Sequence, residues 1–337
     1  MKHRLFLVGV FSVFSLLVSF ESIAANSGIA QVHAKVPNTE AKLSALTYLK
    51  NMNKAYKQLN YKLLYINTGK NKIEPKQLIH GVINGKRITY FGFLNGEMRE
   101  SVQFDGKISF YEQGNKAYSL VTRRDQSVFA NIANFDFDSG SKSYEYIILG
   151  KDRLAGKRAI AIRMVSKDEF RYSYIVWLDL KSYLPLRLDT INKSNLIIEQ
   201  TMAVSLNVTK DINPWVAQLS SKKAPKVLHI PSMTIDEIPQ WQIHWLPEGF
   251  KVIKDDQHKL MMHDTDPVSY IMISDGIVAV SIYISSNNTS ASEHKNIIQL
   301  GGTLLYTKLK DDIEVNIIGE IPVATAEKIV TSIKVTE

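Results

Sequence analysis

The residues best spaced for metal chemistry are His263, Asp264 and Asp266, in the run His263-Asp264-Thr265-Asp266. Alternate ligands on a loop can touch one cation. Nitrogen and oxygen donors hold it only when several more converge, so a polar turn is the stronger reading. Asp136 and Asp138, in the run "FDFD", are spaced to put both carboxylates on one side of an extended segment. That spacing suits an acid/base pair, although a solvated loop explains it better. The chain has no Gly-x-Ser-x-Gly elbow, no His-Glu-x-x-His and no phosphate-binding loop. Its 337 residues include no cysteine, which excludes disulfides, zinc-thiolate sites and thiol nucleophiles. These features predict a protein that is not an enzyme and carries neither metal nor cofactor.

The elements that position these residues follow from periodicity. Leu43, Leu46, Leu49, Met52, Tyr56 and Leu59 recur at three- and four-residue spacing, which predicts an amphipathic helix from about Glu40 to Leu59, with Asn38 and Thr39 as cap residues. Beyond Leu59 the period becomes two. Short β-branched and aromatic runs alternate with turn dipeptides, Asn84-Gly85, Asn95-Gly96, Asp105-Gly106 and Gly114-Asn115. That is an antiparallel meander and not an alternating βαβ pattern. Residues 126–142 interrupt it with an irregular stretch that has room for a short helix and a loop. Strands then resume as far as "LIIEQTMAVSLNV". In "RYSYIVWLDLKSYLPLRLDT", Tyr172, Tyr174, Val176 and Leu178 share one face and Ser173, Ile175 and Trp177 the other, with a turn at Lys181-Ser182. Pro185 cannot donate to a ladder, so its strand starts there or lies at an edge.

Residues 219–232, "LSSKKAPKVLHIPS", are basic and carry two prolines, which predicts an interdomain linker. The rest reads as a small α+β domain. It has a hairpin expected to turn in two residues at Asp275-Gly276, strands near Thr303–Leu309 and Glu314–Ile318, and a closing helix with Ala326, Ile329, Val330 and Ile333 on one face.

At the N-terminus, Lys2 and Arg4 precede a 16-residue apolar run and the small residues Ser22, Ala24 and Ala25. The order is that of a secretory signal peptide, and the run is short for a membrane span of about 20 residues. Cleavage is expected after Ala24 or Ala25, which makes residues 1–24 the signal and places the mature chain, in a Gram-negative bacterium, in the periplasm. The full chain has a formal charge of +8. Losing Lys2, Arg4 and Glu21 with the signal leaves +7. Export makes nucleic acid an unsuitable partner. A cationic surface in that compartment suits acidic protein segments or lipid phosphates.

The stretch "RYSYIVWLDLKSYLPLRLDT" followed by "IIEQ", together with "WLPEGFK", "ISDGIVAVSIYIS" and "IIGEIPVATAEKIVTSI", resembles the RseB/MucB family of periplasmic regulators of the sigma-E envelope-stress factor. The resemblance spans nearly the whole mature chain. It implies a mainly β (α+β) fold: over residues 25–218, a large LolA-like half-open antiparallel β-barrel with helices on its concave side; over 219–232, the linker; over 233–337, the smaller α+β domain. It also implies a partner, the periplasmic domain of a transmembrane anti-sigma factor, shielded from regulated proteolysis and released on sensing lipid or lipopolysaccharide. A half-open barrel makes Phe91, Phe93, Phe110, Tyr172 and Tyr174 candidates to line an acyl-chain cavity, against ordinary core packing. Trp241, Trp245 and Phe250, with Lys222 and Lys223, are candidate partner contacts, against a place in the small domain's core and a solvated linker. The competing function is a periplasmic lipid or lipoprotein carrier using the same cavity. A homo-oligomer is compatible with all of these features.

Overall fold

The computed structural model describes residues 43–68, 73–122, 127, 129–228, 241–258, 268–286, 295–310 and 313–335. Helix α1 (Ala45–Gln58) starts at Ser44, whose side chain accepts from the Thr47 amide. This differs from the expected caps. Asn38, Thr39 and Glu40, like His263–Asp266 and the signal segment, lie outside the described residues. The expected stripe is the buried one, with Leu49, Met52 and Tyr56 no more than 1% exposed.

Eleven strands form one sheet: β1 (Asn60–Asn67), β2 (Glu74–Ile83), β3 (Lys86–Phe93), β4 (Arg99–Phe104), β5 (Lys107–Glu112), β6 (Tyr118–Val121), β7 (Tyr144–Leu154), β8 (Lys157–Ser166), β9 (Ser173–Asp179), β10 (Pro185–Ile191) and β11 (Ile197–Thr209). Their order is β6-β5-β4-β3-β2-β1-β11-β10-β9-β8-β7, every pair antiparallel. Two meanders thus join through the β1–β11 pair. The first meander ends and the second begins on opposite edges of the sheet. The chain between those edges carries α2 (Ala130–Asn134) and α3 (Phe137–Gly140), which pack beside α1. Asn53 of α1 ties them there by donating to the carbonyls of Ala133 and Phe135. This is the expected half-open barrel with helices on its inner side, unclosed because β6 and β7 do not pair.

Register and burial define the inner face: Leu63, Leu78, Ile108, Ile162, Tyr174 and Val176 all point to it. The outer face near β2–β4 is covered by α4 (Pro214–Ser221). There Val216 packs on Ile79, Ile88 and Tyr90 in a second, smaller core. Pro185 does open its strand, opposite Leu178.

The second sheet runs β13-β14-β15-β18-β17-β16, again antiparallel throughout. Its strands are β13 (Lys251–His258), β14 (Val268–Ser274), β15 (Ala279–Ser286), β16 (Lys295–Leu300), β17 (Thr303–Lys310) and β18 (Ile313–Gly319). Helix α5 (Val323–Ser332) buries the expected Ala326, Ile329 and Val330. A short ladder pairs β12 (Trp241–Ile243) with β19 (Ile333–Val335). One continuous core takes residues from both sheets, from Leu49 and Val176 to Ile282 and Ile329.

Three expectations need correction. The described part of 219–232 is anchored: Leu219 and the two serines after it form the last turn of α4. Downstream, the Ser119 amide and carbonyl in β6 bond to Lys226 and Leu228, and its hydroxyl to Pro225. The hairpin between β14 and β15 turns through four residues, 275–278, and not two. The "FDFD" segment is not extended, since Asp136 caps α3 and Asp138, in the first turn, pairs with Lys50.

Candidate binding groove

The groove lies where the inner face meets the 275–278 loop. It has two lobes of about 600 and 650 Å³ that share Asn134, Ile253, Ser274 and Gly276. The first mixes apolar walls, Ile108, Phe110 and Leu120 on one side and Ile277 and Val278 on the other, with the polar side chains of Arg87, Asn131 and Asn134. The second carries ionisable side chains of both signs, Lys142, Arg171 and Lys251 with Asp136, Glu248 and Asp275.

Local chemistry shapes the loop. Asp275 Oδ1 accepts from the amides of Ile277 and Val278, both at 2.9 Å. Ser274 Oγ accepts from the Gly276 amide and donates to the Val278 carbonyl. Gly276 has φ +99°, and a Cβ there would come 3.2 Å from the Phe135 ring. Glycine therefore serves both the left-handed backbone and the close approach to the helical segment.

The loop's other carboxylate oxygen faces a buried cation. Arg171, on the β8–β9 connection, is 2% exposed. It donates to Asp168 through Nε at 2.9 Å and to the Glu248 carbonyl, and its Nη1 lies 3.6 Å from Asp275 Oδ2. The guanidinium sits over the rings of Tyr144 and Phe250 at 5.6 and 5.5 Å. Tyr144 donates to Asp275 Oδ2 at 3.4 Å. Burial pushes the Asp275 carboxyl above its ordinary range, opposed by the Val278 and Ile277 amides and then by Arg171. Burial likewise holds the Tyr144 and Tyr174 phenols well above theirs.

More contacts join the two sheets alongside this cluster. Thr325 donates to the Phe170 carbonyl at 2.9 Å, Tyr172 to the Ile321 carbonyl at 3.1 Å, and the Gly302 amide to Glu199 at 3.2 Å. Phe170 packs edge-on against Trp245 at 4.8 Å, and the Lys328 ammonium lies 4.5 and 4.3 Å from those two rings.

The sequence candidates therefore divide by environment. Phe91, Phe93 and Phe110 share the inner face. Phe110 lines the groove and stacks on Tyr118 at 5.1 Å, while Phe93 is capped by the Arg99 guanidinium at 3.8 Å. Tyr174 is core and Tyr172 an intersheet contact. Phe250 is buried beneath Arg171, Trp245 is half-buried against Phe170, and Trp241 sits in β12 opposite Val335. Lys222 and Lys223 are exposed just after α4. Lys222 borders a small cleft with Phe104 and Tyr111 on the outer face, apart from the groove. Sequence reasoning missed Arg171 and the side-chain role of Asp275. Both sit in connections between strands, where charged residues are ordinary, so no local pattern marked them. Among the described residues, no three His, Asp or Glu side chains gather as cation ligands, and no helix is long and apolar enough to cross a membrane.

Comparison with known proteins bears on the whole chain. Residues 44–228 match the MucB/RseB N-terminal domain and residues 236–334 the MucB/RseB C-terminal domain. The sigma-E factor regulatory protein RseB of Escherichia coli (strain K12) is 29% identical over 297 residues, which is 88% of this chain and 92% of the relative. The sigma factor AlgU regulatory protein MucB of Pseudomonas aeruginosa is 25% identical over 246 residues, 72% and 75% of the two chains. A crystal structure of MucB in complex with MucA(peri) superposes with a TM-score of 0.69 at 23% identity, covering 87% of this chain and all of that one. The fold is shared along both sheets, the two family models match in order, and the chain belongs to the MucB/RseB family.

Proposed function

We propose that this chain is a periplasmic negative regulator of a sigma-E-type envelope-stress response. It binds the periplasmic domain of a membrane anti-sigma factor and shields that segment from regulated proteolysis. The observation that carries the reading is the family match through both domains, together with a relative, MucB, solved in complex with MucA(peri). Occlusion needs no bond-making groups. The mature chain is expected to begin after Ala24 or Ala25, with residues 25–218 as the large domain and 233–337 as the small one. The groove between the sheets mixes aliphatic and aromatic walls with charged side chains of both signs, which suits an amphipathic ligand. A lipid held there against Phe110 would release the anti-sigma segment through negative, reciprocal linkage.

The test is protease protection. Mature protein should slow cleavage of the cognate anti-sigma periplasmic segment by the site-1 protease, and lipopolysaccharide should reverse the effect. Lipid binding with no affinity for the segment would replace the regulator with a lipid or lipoprotein carrier.

A further inference from the structure

The outer face of the first meander, on the other side of the sheet from the groove, carries rows that run Ile88–Phe104–Lys107 and Tyr90–Val102–Ser109–Ser119. Helix α4 covers the β2–β3 end of these rows and stops at Ser221. Where it stops, Leu219 and Lys222 meet Val102, Phe104 and Tyr111 around a cleft of about 50 Å³, too small to hold a ligand molecule. Phe104, Tyr111 and Leu219 are half-buried there. Trp215, one turn earlier on the helix, meets Tyr90 edge-on at 4.6 Å and is still 43% exposed. Tryptophan and tyrosine rings that are packed on one side and wet on the other are characteristic of interfaces.

The same face is cationic. Asp105 is held by Lys86 at 2.8 Å, and Glu100 accepts from the Tyr90 phenol, so both of these carboxylates are engaged. Asp211 lies beyond the far end of α4, next to Lys210. Lys107, Lys222, Lys223 and Lys226 are exposed and make no ion pair among the described residues. The last three belong to a segment that β6 pins: backbone bonds join Ser119 to Lys226 and Leu228, and the Ser119 hydroxyl donates to the Pro225 carbonyl. Every one of the four cations is a lysine. Lysine offers a hydrated point charge without the fork of a guanidinium, and protein–protein interfaces are depleted in lysine and enriched in arginine. A lysine rim around an exposed indole suits a diffuse anionic surface better than a shaped protein partner. Near an anionic leaflet each lysine adds attraction, and tryptophan settles at the level of the headgroups.

We infer that this face docks the protein on a bilayer surface rich in anionic phospholipid. Trp215, Phe104 and Tyr111 meet the headgroup boundary, and Lys107, Lys222, Lys223 and Lys226 face the lipid phosphates. Attachment by a few rings and point charges is reversible and salt-sensitive. The groove, on the inner face, stays free while the outer face is docked. This inference does not rest on the regulator reading.

The test uses the mature chain with vesicles of phosphatidylglycerol and phosphatidylethanolamine, against vesicles of phosphatidylcholine. In co-sedimentation, wild type should bind the anionic vesicles more tightly than the neutral ones by about tenfold or more, and high salt should reverse the binding. Anionic vesicles should also shift tryptophan emission to the blue. Trp215→Phe should remove that shift, because Trp177, Trp241 and Trp245 lie on other elements. Lys222→Glu combined with Lys223→Glu should weaken vesicle binding by about tenfold or more, with circular dichroism unchanged because both side chains are exposed. Phe110→Ala, in the groove, should bind vesicles as wild type does. The inference is overturned if wild type binds neither kind of vesicle, or both equally. It is also overturned if Phe110→Ala abolishes vesicle binding while the double lysine variant retains it, which would mean that lipid enters the groove instead. It is overturned, too, if the double lysine variant loses affinity for an acidic peptide and keeps its affinity for vesicles, which would make the partner of this face a protein.

Discussion

Arg171 is the residue on which the junction of the two sheets turns, because it brings a full charge to a position that is 2% exposed. Its partners come from both sides, Asp168 on its own loop and the Glu248 carbonyl and Asp275 across the junction. Asp275 is equally buried and keeps its remaining acceptor capacity on two backbone amides. Such a pair contributes little against an apolar replacement of both members, yet removing one member strands the other. Arg171→Met should therefore cost about 3–5 kcal/mol in urea denaturation, the scale for breaking a buried ion pair. Adding Asp275→Asn should recover part of that loss, since asparagine still accepts from the Ile277 and Val278 amides but needs no counter-charge. The pair would be shown unimportant by an Arg171→Met variant as stable as wild type, or by a double variant whose losses simply add.

Among the elements, α4 shows most clearly what local pattern can and cannot reveal. Asn213 and Pro214 are an ordinary cap and first-turn residue, and Asn213 Oδ1 accepts from the Trp215 and Val216 amides at 3.0 and 3.3 Å. The helix matters because Val216 is fully buried on β2 and β3 and Trp215 meets Tyr90 edge-on at 4.6 Å. Asn213→Ala should cost about 1 kcal/mol, and Asn213→Gly only a few tenths. Equal losses for the two would mean the cap is idle. Period and turn chemistry made the meander, α1 and α5 legible, because in those segments alternate or every-third-or-fourth residues face one core. The stretch after α4 was read as a linker because its lysines and prolines carry no period. What holds it is β6, about a hundred residues earlier in the chain, and no local signal reports that contact. The 275–278 loop failed for a related reason. Asp275-Gly276 is a good two-residue turn by composition, but the turn widens so that Asp275 can face Arg171 and Ile277 and Val278 can be buried. Phe91, Phe93 and Phe110 were candidates because a half-open barrel was expected, and register puts all three on the inner face. Which of them reaches the groove depended on the small sheet packed opposite.

At the scale of the whole molecule, the junction is rich in buried phenols, and this makes its integrity sensitive to high pH. Tyr144 and Tyr174 are held well above the ordinary phenol range by burial, with the Asp275 charge adding to the effect at Tyr144. Tyr172, which bonds across the junction to Ile321, is pushed up to about 12, chiefly by burial and then by Glu320. In the unfolded chain the same groups ionise near about 10. Between those values the folded chain retains protons that the unfolded chain has lost. The stabilisation is therefore complete below about pH 10 and declines as pH rises through the folded values. One core joins both sheets, so the loss should be cooperative, with the small sheet unable to stay docked once Tyr144 and Tyr172 ionise. Ultraviolet titration of phenolate formation, run in parallel with circular dichroism, tests this. Most of the 15 tyrosines should titrate smoothly, and a buried fraction should appear in one step together with the loss of folded signal. Tyr172→Phe, which keeps the ring and removes the bond to Ile321, should shrink that step without shifting the smooth phase. Smooth titration of every tyrosine with the fold intact would mean that the junction opens to water freely and that the two sheets are not held as one core.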